Sequence, residues 1–167
     1  MIYITGDTHG ELGRFWGEHK LCDDPLTEKD YLVIAGDFSF VFQQAGTVYH
    51  KEECAALDSL EEKPYTILFI DGNHENFPRL LSEFPEEEWH GNKVDLIITH
   101  TAPQKVVYAL RGTADPHEAE LTGFLEWIND TVSFTHWYFG HWHRDERLTG
   151  IFSAFTAVYC DLHPVVK

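Results

Sequence analysis

A chain of 167 residues with 43% hydrophobic and 14% aromatic content carries enough apolar matter for one packed core, and 24% charged residues with a mean hydropathy of -0.30 exclude a disordered or membrane-embedded polypeptide. A net charge of -16 repels a polyphosphate backbone, so nucleic-acid binding through a basic face is not expected, and phosphate recognition would require metal. No apolar run approaches the roughly 20 residues of a spanning helix, and the chain enters a strand without the basic leader and apolar segment of a secretory signal. Cys22, Cys54 and Cys160 are odd in number and widely spaced, and read as reduced, mostly buried thiols. One domain over residues 1–167, in the cytoplasm, is the expectation.

Ile2-Tyr3-Ile4 reads as a strand leading into Gly6-Asp7-Thr8-His9-Gly10, where Asp and His two apart share one face of an extended chain; a helix from about Glu11 to His19 follows. Tyr31 to Ala35 is a second apolar strand, ending at Gly36-Asp37. From Thr47 to Leu60 the apolar residues Val48, Cys54, Ala55, Leu57 and Leu60 mark a crossover helix. Tyr65 to Ile70 reads as a buried strand delivering Gly72-Asn73-His74-Glu75, with a short helix from Phe77 to Phe84 after it. Val94 to Thr99 ends at His100, and Thr101 to Asp115, interrupted by Pro103 and Gly112, reads as a loop able to line a substrate pocket. Asp115-Pro116 suggests an N-cap and first helical residue, with Leu121, Phe124, Leu125 and Ile128 as the buried stripe and Trp127 packed beside it. Phe134 to Phe139 delivers Gly140-His141-Trp142-His143, and Leu148 to Tyr159 reads as a terminal hairpin.

Alternating strands and helices predict an α/β layered fold with predominantly parallel pairing, in which ligands gather at the strands' carboxyl ends. Asp7, His9, Asp37, Asn73, His74, His100, His141 and His143 all fall there, five of the 11 histidines among them. One histidine so placed is more often a hydrogen-bonded core residue, but eight polar residues at five strand ends point to metal. Nitrogen and oxygen donors without thiolate favour manganese first, with iron, zinc or nickel also fitting. Seven donors are enough for two ions, and a carboxylate such as Asp37 can bridge them.

The blocks Asp7-Thr8-His9, Gly36-Asp37, Gly72-Asn73-His74-Glu75, Thr99-His100-Thr101 and Gly140-His141-Trp142-His143 follow the order D-x-H, G-D, G-N-H-[DE], H and G-H-x-H. In this the chain strongly resembles the calcineurin-like metallophosphoesterases. The resemblance implies a four-layer αββα sandwich, with two divalent or trivalent ions acting on a small phosphomonoester or phosphodiester. It implies that Asp7, His9, Asp37 and His143 hold one ion and Asp37, Asn73, His100 and His141 the other. It also implies that Asp37 bridges the two ions in catalysis, that a metal-bridging hydroxide is the nucleophile, and that His74, not a ligand, stabilises the transition state or protonates the leaving oxygen.

Two departures from the family pattern bear on function. Protein Ser/Thr phosphatases continue the second block as G-D-x-x-D-R-G, whereas this chain reads Gly36-Asp37-Phe38-Ser39-Phe40-Val41, without the phosphate-gripping arginine; Arg79, Arg111 and Arg144 are the candidate substitutes. The stretch between Glu75 and His100 is also short for the family, with an apparent junction at Trp89 to Asp95. Its loss would expose strand edges for a second subunit or a rearranged loop to cover. The rival reading is therefore a shortened relative that keeps its metals but serves as a binding or structural module.

Overall fold

A computed structural model describes residues 1–16, 26–76, 78–79, 94–113 and 116–165. The described strands are β1 (Ile2–Thr5), β2 (Tyr31–Ala35), β3 (Thr66–Ile70), β4 (Leu96–Thr99), β5 (His136–Phe139), β6 (Glu146–Arg147), β7 (Phe155–Ala157) and β8 (His163–Pro164). They form two mixed sheets, ordered β3-β2-β1-β8 and β4-β5-β7-β6. β1, β2 and β3 are parallel, as are β4, β5 and β7, while β8 and β6 join antiparallel at the edges.

The alternation of side chains along a strand sets the layers. In β2, Val33 and Ala35 point inward to meet Tyr138 of β5 and Val158, which follows β7. Leu32 and Ile34 point outward and pack with Phe15, Phe38, Phe40, Ala56 and Leu60. In β5, Trp137 and Phe139 turn outward against α2 (Gln104–Arg111) and α3 (Ala119–Thr131). With α1 (Val48–Glu61) outside the first sheet, the order is helix, sheet, sheet, helices, the four-layer α/β arrangement expected from the sequence.

The helices carry most of the corrections. Thr47 caps α1 by accepting from the His50 N–H, but the buried face is Glu53, Ala56 and Leu60, whereas Val48 is 70% exposed and Ala55 is exposed too. The segment read as a loop contains α2, which Pro103 opens and Gly112, at φ 74, closes; Val106 and Val107 are buried against the second sheet. Helix α3 starts at Ala119 rather than Pro116, and its buried face is Thr122, Leu125 and Ile128. Leu121 and Phe124 are exposed instead, and Trp127 stacks on Phe124 in the open.

Only a 3-10 turn, Leu12–Arg14, is described where a helix from Glu11 was expected. Strand β3 lies at a sheet edge with Leu68 49% exposed, not buried throughout. The terminal hairpin pairs β6 with β7, and β8 crosses back to the first sheet. Cys54 is half-buried and Cys160 exposed, so the thiols are not mostly buried. Cys22, the expected helix at Phe77 to Phe84 apart from residues 78–79, and most of the apparent junction lie outside the described residues.

Candidate metal centre

The strand ends converge. Asp7 and His9 follow β1, Asp37 follows β2, Asn73 and His74 follow β3, His100 follows β4, and His141 and His143 follow β5, so loops from both sheets meet above one seam. His9 Nε2 lies 3.1 Å from His143 Nε2, which is 3.2 Å from Asp7 Oδ2. On the other side His100 Nε2 lies 2.9 Å from Asn73 Oδ1 and 3.0 Å from His141 Nδ1. Asp37 stands between, with Oδ2 at 3.9 Å from His9 Nδ1 and Oδ1 at 3.6 Å from His100 Nε2. His74 is the most exposed of the histidines; its Nε2 is 4.0 Å from Asp37 Oδ2, close enough for His9, Asp37 and His74 to share an ion by distance alone.

Backbone amides fix both carboxylates. The His141 N–H donates to both oxygens of Asp7 at 3.0 Å, and the His74 N–H donates to Asp37 Oδ1 at 3.0 Å. These approaches depend on glycine: a Cβ on Gly72 would meet Asp37 Oδ1 at 2.1 Å, and one on Gly140 would meet the Ala35 carbonyl oxygen at 2.0 Å and Asp7 Oδ1 at 2.5 Å. His9, Asp37, Ser39, His141 and His143 all have left-handed backbone, with φ between 38° and 69°. Non-glycine residues avoid that region, and clusters of them occur where surrounding contacts over-determine a functional geometry.

Burial is the largest influence on His100 and holds its pKa below the ordinary imidazole range, against the pull of Asp37 and Asp7, so the ring is in its neutral, ligating form. Burial, with Asp37 beside it, pushes Glu75 up to about 7 against the opposing Ser39 N–H. That N–H donates to Glu75 Oε1 at 2.9 Å and pins the loop carrying Asp37, which gives Glu75 the role its motif left open.

Three further residues escaped the sequence reading. Glu118 Oε1 lies 2.6 Å from His141 Nε2, so Nε2 is the donor and Nδ1 is left facing His100. Buried Arg14 donates to the carbonyls of Asp7 and Tyr159, and the Tyr159 ring stacks on His143 at 4.4 Å. Glu53 accepts from the Phe42 and Gln43 N–H groups and pairs with buried Arg79, which takes Arg79 out of contention for substrate. Glu118 falls in what the sequence reads as the first turn of a helix and stands just before α3, and only the fold brings it to His141.

Residues 1–151 match the family model of the calcineurin-like phosphoesterases. The chain belongs to the calcineurin-like phosphoesterase family. Among curated proteins none matches it. Membership of this metallophosphoesterase family suggests a hydrolase of phosphoesters that depends on divalent metal and takes a small phosphoester substrate. Among the described residues no helix is long and apolar enough to cross a membrane.

Proposed function

We propose that this calcineurin-like phosphoesterase is a dinuclear hydrolase of small phosphomonoesters or phosphodiesters, working as one domain in the cytoplasm. One observation carries the reading: two donor sets flank a single carboxylate. Asp7, His9 and His143 would hold one ion, Asn73, His100 and His141 the other, and Asp37, one oxygen toward each set, would serve both. The donors fit. All are nitrogen or oxygen, neighbours within each set stand 2.9 to 3.2 Å apart with Asp37 at 3.6 to 3.9 Å from them, and the Asp7 and Asp37 side chains are 0% and 4% exposed. Among the described residues only imidazoles are ion-paired with those two carboxylates, and buried carboxylates require a cation. Manganese is the first choice for that donor set, with iron, zinc or nickel as substitutes.

Two such ions, when bound, lower the pKa of a shared water and offset phosphoryl charge. The protein's own part is positioning and proton transfer. Asp37, fixed through the His74 N–H, keeps the two donor sets in register. The His74 imidazole stands at the mouth, edge-on to His9, where it can stabilise or protonate the leaving oxygen.

The test combines metal analysis with hydrolysis of p-nitrophenyl phosphate and its bis-ester in Mn²⁺. Asp37→Asn should lose both metal and turnover. His74→Ala should keep its metal and lose roughly 10²- to 10⁴-fold in rate. Metal without turnover in the unmutated chain would favour the binding-module reading, and metal loss in His74→Ala would make His74 a ligand. Strands β3 and β4 each pair on one side only among the described residues, and a second copy covering them is part of the proposal. A monodisperse monomer in light scattering, with edge amides protected from exchange, would remove that part.

A further inference from the structure

Of the phenylalanines that follow Asp37, Phe38 and Phe40 are buried in the outer core of the first sheet, whereas Phe42 is 49% exposed. A single exposed phenylalanine needs no explanation by itself. This one stands beside the donor cluster. Its ring is centred 6.5 Å from the His74 ring and tilted 43° to it, and His9 meets His74 at 5.4 Å.

The backbone under Phe42 is held from two directions. Glu53 of α1 accepts from the Phe42 and Gln43 N–H groups at 2.7 and 2.9 Å. Arg79 donates to the Gln43 carbonyl at 2.8 Å, the Asn76 side-chain amide to the Phe42 carbonyl at 3.3 Å, and the Asn76 N–H to the Val41 carbonyl at 2.7 Å. Glu53 and Arg79 pair with each other, both more than nine-tenths buried. Desolvation offsets most of what such a pair gains, so the pair speaks for position more than for stability. Asn76 and Arg79 continue the segment that carries Asn73 and His74, so these bonds hold the loop of Phe42 in register with the site.

The position of His74 decides which part of a substrate meets that ring. If His74 serves the leaving oxygen, the carbon attached to that oxygen lies on the His74 side of phosphorus, next to Phe42. The ring offers neither charge nor a hydrogen bond; what it favours is apolar surface, and a second ring above all.

Resting on the hydrolase reading above, we propose that Phe42 is a specificity residue that receives the leaving group. The substrate class is then a phosphoester whose leaving alcohol carries an apolar ring close to the ester oxygen.

The test reads binding of non-hydrolysable probes, so it does not depend on turnover. Calorimetry on the Mn²⁺-loaded protein compares methylphosphonate with benzylphosphonate and cyclohexylmethylphosphonate, in which carbon replaces the leaving oxygen. At least one ring-bearing probe should bind about fivefold or more tighter than methylphosphonate. That ratio should fall below about twofold in Phe42→Ala and be retained in Phe42→Tyr. The bonds that hold the loop go to its backbone, so Phe42→Ala should fold, as its thermal melt and metal content will show. A gain with both ring-bearing probes assigns the position to apolar burial, and a gain with benzylphosphonate alone assigns it to ring stacking. Equal affinities for all three probes would overturn the proposal. So would a gain that survives in Phe42→Ala, or one lost equally in Trp127→Ala, an exposed aromatic on α3. A ring preference that depends on Phe42 in a chain without ester hydrolysis would refute the catalytic reading and leave the apolar position standing. Hydrolysis of p-nitrophenyl phosphate with kcat/KM unchanged in Phe42→Ala would do the reverse.

Discussion

Removing the Glu118 carboxylate tests whether an unforeseen contact sets metal affinity. Its Oε1 is 2.6 Å from His141 Nε2, both side chains are about four-fifths buried, and Oε2 reaches the Thr101 hydroxyl at 3.5 Å. The contact puts the ring proton on Nε2 and turns the lone pair of Nδ1 toward His100 and Asn73. In Glu118→Ala the ring loses that bias in both tautomer and rotation. Loss of such an outer partner typically weakens metal binding about 10- to 100-fold, or about 1.4 to 2.7 kcal/mol. Because Glu118 touches only the set containing His141, a Mn²⁺ titration should become biphasic, with one affinity retained and the other lowered. Glu118→Gln, which keeps an acceptor, should lie between. A ¹⁵N imidazole spectrum of the metal-free protein should show His141 shifting from a single tautomer to a mixture, a change that a merely structural role for Glu118 would not produce. Unchanged affinity in Glu118→Ala, or equal weakening of both phases, would refute the reasoning.

Gly72→Ala places a methyl 2.1 Å from Asp37 Oδ1, so it should lower metal stoichiometry and cost about 10²-fold or more in rate, checked by metal analysis and kinetics; full activity would show that the loop yields without displacing Asp37. Asp145 accepts from the Tyr159 and Cys160 N–H groups and from His163, and Asp145→Asn should cost about 1 to 2 kcal/mol in denaturant melts near neutrality. Burial raises its pKa, but those donors outweigh it and hold the carboxyl below its ordinary 3.8; the stabilisation is present above that value and lost as pH falls through the lower folded value, so the gap between wild type and variant should close in acid. Imidazole must be neutral to coordinate, so Mn²⁺ affinity should fall as pH drops through the imidazole range; equal affinities at mildly acid and neutral pH would contradict this.

The strand ends were legible because central parallel strands are covered on both faces and read as apolar runs. A polar cluster at the end of such a run stands out against it. Tyr31 to Ala35 matched to the residue, and β1, β4 and β5 were off by one or two positions. The helices were less legible for a physical reason. Helix α3 carries two apolar stripes, Leu121-Phe124-Trp127 and Leu125-Ile128, and only the sheet decides which is covered. In α2 the buried residues are Val106 and Val107, too few for a period, between a proline and a glycine that favour a loop. Glu118 and Arg14 were invisible because their partners are distant in sequence.

The left-handed backbone of the site changes how the effect of any one substitution should be read. His9, Asp37, Ser39, His141 and His143 each hold a conformation costing on the order of 1 kcal/mol or more, and other members of the cluster hold them there. The His9 N–H donates to the Asp37 carbonyl, the His141 N–H to the Asp7 carboxylate, the Ser39 N–H to Glu75, and His143 lies on Tyr159. Removing one member therefore releases its neighbours, and losses at these positions should not add. The contact between Asp7 and His141 also joins the end of β1 to the end of β5, so the site is where the two sheets are tied together. A cation at either donor set would neutralise buried carboxylates at that seam and bind the folded state alone, so metal affinity and sheet-to-sheet docking should rise and fall together.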